Sequence, residues 1–257
     1  MIDAFVRQML YPIPRVRVGR PPRGAEDVLL ASATGERVHA WAGGDPRLPR
    51  RRPAALLFHG NGENLETMRM AGLFDEVARL DAVWLAVDYP GYGRSTGSPS
   101  EEGLHAGADA ALAWLRRRHP GRPVVAWGWS LGAAVAIQLA VRHPDEVTAL
   151  ALLSPWTRLA EVATVHFPLP FAERVLGGRY DSLAAAPRVR APAFVCHGRR
   201  DRIVPFEQGE RVARALGGVV RWLPIREAGH NDLLAVPKVW AGLRKFFGEV
   251  ATGLRGS

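Results

Sequence analysis

Gly128-Trp129-Ser130-Leu131-Gly132 sets a serine midway between two glycines. A serine hydroxyl is a poor nucleophile until a base takes its proton. The G-x-S-x-G spacing acquires chemical meaning where a strand turns sharply into a helix. The serine there is held in a strained backbone conformation, and residues two positions away must be small to avoid collision. Ala133 and Ala134 follow and keep the first helical turn close to the strand. Without a strand before it and a helix after it, the same pattern is a glycine-rich packing turn carrying an incidental serine.

The base is sought among eight histidines. His230 stands out because Ala228-Gly229-His230-Asn231-Asp232 falls between the last strand pattern and the last helix pattern. His119 and His143 each precede a proline at a helix end, which suits capping, and His39 lies in an edge hairpin. His166 lies in an insertion, at the surface or against a substrate. A catalytic histidine needs a carboxylate to hold one tautomer. Asp201, in His197-Gly198-Arg199-Arg200-Asp201-Arg202, sits just past a strand end, and the adjacent arginines would hold it ionised. The competing roles for Asp201 are a helix N-cap or a surface ion pair. Asp88 is read as bonding local backbone, Asp181 as capping a helix in the insertion and Asp232 as starting the last helix. Cys196 falls within a strand, where a thiol is inert.

These residues need a scaffold. Asp27 to Ala33 and Arg37 to Gly43 flank a glycine turn and read as a hairpin. Ala54 to Phe58, Ala82 to Val87, Val124 to Trp127, Ala149 to Leu153 and Ala193 to Cys196 are continuous apolar runs, as in strands buried on both faces, and Val219 to Leu223 reads as a further strand. Between them lie helical patterns: Met70, Leu73, Phe74 and Val77; a helix opened by Ser98 as N-cap with Pro99 first and Glu101 as capping-box partner; Leu131 to Arg142; Phe206 to Leu216; and Val236 to Val250. Alternation of strands and helices predicts an α/β fold: a mostly parallel sheet with an antiparallel N-terminal edge and helices on both faces. The chain is expected to be one domain over 1–257, with an N-terminal strap over 1–26 and a small cap insertion over 156–192. Val165, Phe167, Pro168, Leu169, Pro170 and Phe171 make the cap apolar and stiff. Trp129, Trp156, Phe167 and Phe171 are the expected substrate-pocket residues, for a small to medium apolar acyl or alcohol group. The cap residues could equally serve only to dock the cap on the core.

The order Ser130, Asp201, His230 is that of the α/β-hydrolases. The chain resembles this superfamily and, within it, the Bem46-like serine hydrolases related to alpha/beta hydrolase domain-containing proteins 13 and 17. The shared pieces are His59-Gly60-Asn61-Gly62-Glu63-Asn64, Asp88-Tyr89-Pro90-Gly91-Tyr92-Gly93-Arg94-Ser95, Gly128 to Gly132, His197 to Pro205 and Gly229 to Asp232. The chain departs from the depalmitoylase members in lacking their N-terminal cysteine cluster. The resemblance implies an α/β-hydrolase fold, with Ser130 as nucleophile at the elbow, His230 as base and Asp201 as its orienting acid. It also implies an oxyanion hole made by the backbone N–H groups of Asn61 and Leu131. Gly60 and Gly62 would let that loop approach closely, and His59 would stabilise it. No Gly-Lys-Ser/Thr follows, so the loop is not a phosphate cradle.

Apolar residues at 47% and charged residues at 23% describe a globular chain, which excludes bulk disorder, collagen and coiled coil. No apolar run approaches the roughly 20 residues of a membrane-spanning helix. One cysteine excludes an internal disulfide framework and a cysteine-rich zinc site. No metal or other cofactor is expected. Lys+Arg 34 against Asp+Glu 25 leaves +9, almost all of it arginine. The arginines are scattered and lack interleaved aromatics, so no nucleic-acid partner is expected. Met1 to Pro14 is too short and mixed for a signal peptide; Phe5, Val6, Met9 and Leu10 make one amphipathic stretch. The expectation is a cytoplasmic protein, with weak peripheral contact to the inner face of the membrane through basic surface or N-terminus. The expected activity is hydrolysis of carboxylic esters or thioesters of small molecules. The alternatives are a peptidase, amidase or perhydrolase on the same triad, or a non-catalytic binding scaffold.

Overall fold

The computed structural model describes residues 10–166, 176 and 178–254. Eight strands form one sheet: β1 (Glu26–Ala31), β2 (Arg37–Gly43), β3 (Ala54–Phe58), β4 (Val83–Val87), β5 (Val124–Trp129), β6 (Ala149–Leu153), β7 (Ala193–Gly198) and β8 (Val220–Ile225). Their spatial order is β1-β2-β4-β3-β5-β6-β7-β8. β1 pairs antiparallel with β2, and β2 antiparallel with β4. All later pairings are parallel. The continuous apolar runs follow from this layout. Ala54, Leu56 and Phe58 of β3 join one core cluster, while Ala55 and Leu57 join the other on the opposite face.

Helices cover both faces. On one side lie α3 (Glu101–Arg118), α4 (Leu131–Arg142), α5 (Leu159–His166), α6 (Ser182–Ala185) and α7 (Phe206–Ala215). Among them, Leu112, Ile137 and Val212 pack with Leu56 and Leu152. On the other side lie α1 (Leu65–Met70), α2 (Leu73–Val77) and α8 (Pro237–Ala251). There Phe74, Trp240 and Phe247 pack with Trp84 and Trp127, and Trp127 meets Trp240 edge-on with centroids 5.7 Å apart.

Several boundaries differ from the sequence reading. α3 begins two residues later than a Ser98 cap would give: Ser100 is the N-cap, in extended backbone, and its Oγ accepts the Gly103 N–H at 3.0 Å. The helical pattern around Met70 to Val77 is two short helices, broken at Gly72 with φ 73°. The last helix starts at Pro237, and Asp232 instead precedes a 3₁₀ turn at Leu233–Ala235. Its carboxylate turns back to accept the Gly229 N–H at 2.6 Å, so it braces the loop before the turn. Asp181 does cap a helix, accepting the Ala184 N–H. Phe5, Val6 and Met9 at the N-terminus, and Phe167 to Phe171 in the insertion, lie outside the described residues.

Because β3, β5, β7 and β8 run parallel, their carboxyl ends share one edge of the sheet. The loops leaving them carry His59 to Asn64, Ser130, Asp201 and His230. Ligands of open α/β sheets bind at that edge.

Candidate active site

Ser130 lies between β5 and α4, as the residue before the helix, with φ 55° and ψ −113°. A positive φ is uncommon for a residue with a Cβ and costs roughly 1–3 kcal/mol. The surroundings enforce it: the Ser130 N–H donates to Leu153 O at 2.9 Å, and its carbonyl accepts from the Ala133 N–H at 2.9 Å. The flanking glycines have no room for a side chain. A Cβ on Gly128 would lie 2.0 Å from Gly132 O, and one on Gly132 would lie 2.1 Å from Phe58 O. The small residues demanded by the spacing therefore have a steric cause.

His230 is buried at 8% exposure, with Nδ1 2.7 Å from Asp201 Oδ2. A neutral ring that donates through Nδ1 keeps Nε2 as its acceptor. Asp201 Oδ1 accepts the Ile203 and Val204 N–H groups at 2.9 and 2.8 Å. Burial pushes this carboxyl up, yet hydrogen bonds from His197 and His230, the His230 charge and the Val204 N–H together hold it well below the ordinary carboxylate range. The adjacent arginines were expected to do this. Among the described residues none of them pairs with Asp201; Arg199 lies over the Phe206 ring instead, 4.5 Å from its centroid.

His197 is a participant that sequence reasoning passed over. Its Nε2 stands 3.2 Å from Asp201 Oδ2 and 3.0 Å from Val204 O. The ring is fully buried, and a Cβ on Gly209 would lie 2.0 Å from its Nδ1. The available signal was the four-residue spacing of His197 and Asp201 across the end of β7.

The loop after β3 is tied down on every side. His59 Nδ1 bonds Gly60 O at 2.8 Å, and Tyr89 OH donates to His59 O at 2.6 Å. The Gly60 N–H donates to Glu63 Oε2 at 2.8 Å. Asn61 Nδ2 donates to Leu10 O at 2.7 Å, and its Oδ1 accepts from Tyr92 OH at 2.9 Å. The Asn61 backbone N–H has no protein acceptor among the described residues. Asp88, read as a local backbone acceptor, reaches further: it accepts the Leu65 N–H that starts α1 at 2.9 Å and lies 3.2 Å from His39 Nδ1.

Ser130 and His230 line one cavity of about 540 Å³, together with Asn61 and Glu63. Leu131, by contrast, is buried at the first turn of α4. Trp129 is in the cavity wall, its ring 5.8 Å from that of His230. Trp156 is not: it is buried in the core cluster under α4 and does not reach this cavity. Phe167 and Phe171 lie outside the described residues. The apolar wall comes instead from Met68, Leu73, Trp127, Leu234 and Trp240, residues of α1, α2, β5, the 3₁₀ turn and α8. Met68, Leu73, Trp127 and Trp240 are at the same time core residues, and Leu234 packs against that core.

Burial pushes the Cys196 thiol up to about 12, so it stays protonated. Among the described residues no cluster of His, Cys, Asp and Glu could hold a metal, and no helix is long and apolar enough to cross a membrane.

A family model described as alpha/beta hydrolase fold matches residues 53–175. An uncharacterized protein of Mycobacterium tuberculosis is 36% identical across 95% of this chain and 88% of its own length. Alpha/beta hydrolase domain-containing protein 17B of Xenopus laevis is 30% identical, over 80% of this chain and 70% of that one. Among solved structures, the Pyrococcus furiosus esterase Pf2001 superposes with a TM-score of 0.75 at 19% identity, covering 93% of this chain and 98% of its own.

Proposed function

The chain belongs to the alpha/beta hydrolase family, and from that premise we propose that it is a serine hydrolase acting on carboxylic esters or thioesters. The observation that carries this reading is the meeting of three separate loops at one sheet edge. Ser130, at a positive-φ turn, and His230, backed by Asp201 at 2.7 Å, line the same cavity.

In this reading Ser130 Oγ attacks the substrate carbonyl carbon as its proton passes to His230 Nε2. The carbonyl π electrons move to oxygen, which the Asn61 and Leu131 N–H groups hold; losing one such donor typically lowers the rate by about 10²–10³. Asp201 stabilises the imidazolium and does not itself take the proton. The tetrahedral adduct collapses, and the leaving alcohol or thiol takes the proton from His230. A water molecule then attacks the acyl-enzyme, giving a proton to His230. Collapse releases the carboxylic acid and returns that proton to Ser130. Each proton thus passes through one ring nitrogen whose partner nitrogen is fixed by Asp201.

The test is covalent labelling with a fluorophosphonate probe, which reacts with an activated serine. The wild-type protein is expected to label and to hydrolyse p-nitrophenyl esters. Ser130→Ala should lose both while keeping its circular dichroism spectrum. Full labelling of Ser130→Ala would assign the nucleophile elsewhere.

A further inference from the structure

The cavity wall differs in charge from the rest of the protein. The chain carries a net charge of +9. Among the described residues, the wall contains two carboxylates, Glu63 and Glu76, and neither lysine nor arginine. Glu76 is neutralised from outside the cavity by Arg79 and by Arg244, the latter at 3.4 Å. Glu63 has no basic partner among the described residues. The one protein hydrogen bond its carboxylate makes among the described residues is the Gly60 N–H on Oε2. Burial pushes its carboxyl up, opposed by the charge of His59, the Gly60 N–H and the charge of His230. A largely buried carboxylate with so little compensation is costly unless it takes a proton or a cation pairs with it. Trp129 stands in the same wall: a Cβ placed on Gly60 would lie 2.9 Å from Glu63 Oε2 and 3.6 Å from the Trp129 ring, so this end of the cavity offers an acceptor and an aromatic ring together. Carboxylate beside tryptophan is the combination that binds ammonium groups, by charge and by the ring quadrupole. The only other titratable groups among the described wall residues are His59 and His230.

We propose that the substrate carries a cationic group, an amine or quaternary ammonium, bound against Glu63 and beside Trp129 while the scissile carbonyl lies at Ser130. The inference rests on the serine hydrolase reading. An anionic group in the same place would face Glu63, with no lysine or arginine among the described wall residues to meet it. The neutral remainder of the substrate fits the apolar wall of Met68, Leu73, Trp127 and Trp240.

The experiment compares isosteres that differ only in charge. One pair charges the leaving group: butyrylcholine and its analogue with carbon in place of the quaternary nitrogen. The other charges the acyl group: the p-nitrophenyl ester of γ-trimethylammoniobutyrate and its carbon isostere, with p-nitrophenyl hemiglutarate as the anionic member. In at least one pair the cationic ester should have kcat/KM about tenfold higher, mainly through KM, with the hemiglutarate slowest. Glu63→Gln keeps an oxygen for the Gly60 N–H and removes the charge, so it should bring the ratio of cationic to neutral ester close to one. The wild-type comparison stands even where the variant folds poorly. A protein that labels at Ser130 yet treats both pairs alike, or prefers the anion, overturns the inference and leaves the hydrolase reading intact. A protein that neither labels nor hydrolyses any ester overturns the hydrolase reading, and the inference with it.

Discussion

Asp201 receives His230 and His197 on Oδ2 and two backbone N–H groups on Oδ1, so all of its acceptor capacity is directed by neighbours. Asp232 is two residues from His230, yet its carboxylate is bonded to the Gly229 N–H. Asp201→Asn should therefore lower turnover on one ester by up to about 10⁴, because an amide presents the wrong partner to Nδ1–H and disturbs the tautomer. Asp232→Asn should lose far less, since it only weakens a loop brace. Turnover of both variants, with folding checked by circular dichroism, decides between them; a crippled Asp232→Asn beside a near-normal Asp201→Asn would reverse the assignment. At this scale, what could be read from sequence was whatever a local pattern enforces. Ser130 is announced by glycines whose reason is steric and close at hand. The order of Ser130, Asp201 and His230 is also visible in one dimension. His197 and Glu63 were quoted within motifs; the four-residue spacing to Asp201 was the one sign that His197 shares its carboxylate, and nothing there says that Glu63 closes the Gly60 turn. Such contacts are made across a turn and depend on side-chain direction. The arginines beside Asp201 misled for the same reason: adjacency in sequence put them next to the carboxylate, while the backbone turned Arg199 onto Phe206.

The β5–α4 junction shows how an element positions a residue. β5 is central in the sheet, flanked by β3 and β6, so its end cannot shift without moving both neighbours. α4 packs so close that Gly132 touches the Phe58 carbonyl at the end of β3. Gly128→Ala should accordingly lower the urea midpoint, with a cost of about 1–3 kcal/mol or more, since backbone atoms and not a mobile side chain block the new methyl. Gly248, inside α8, has nothing within 4 Å of a new Cβ. Gly248→Ala is thus expected to be neutral or to stabilise by up to about 1 kcal/mol, because alanine loses less entropy in a helix. Equal destabilisation by the two would mean that helix packing, not the elbow, limits tolerance at these glycines. The inner strands β3 to β7 were legible because burial on both faces writes itself as an unbroken apolar run, which β8, half-buried at the sheet edge, does not show. Helix starts were less so. Ser98-Pro99-Ser100-Glu101 reads as a helix capped by Ser98, whereas the extended backbone and the bond to the Gly103 N–H fall at Ser100. The cavity wall was the least legible. Trp127 and Trp240 belong to elements whose spacing already explains them as core, so a second role as substrate wall leaves no separate mark.

For the whole molecule, the sum of charges was plain from composition, but its consequences depend on where each group sits. The +9 balance does not reach the cavity, whose described wall has no basic side chain except histidine. A second consequence concerns acid stability. His105 of α3 has a buried Nε2 with no hydrogen-bond partner among the described residues. Burial lowers its pKa from the ordinary value to about 4, helped by the Arg142 charge and opposed by Asp109. The sign follows from linkage. Between about pH 6.5, where the unfolded ring titrates, and about 4, where the folded ring does, the unfolded chain binds the extra proton. Stability is therefore full above about pH 6.5 and lost progressively as the pH falls toward 4, with no further loss from this group below that. His105→Gln removes the titration, and its melting temperature should fall less steeply than that of the wild type across this window. Melting curves of the two proteins at several pH values from 7 to 4, in one buffer series at constant ionic strength, test it. Parallel pH profiles would show that the ring takes its proton in the folded state without penalty, and that the acid sensitivity of the fold has another source.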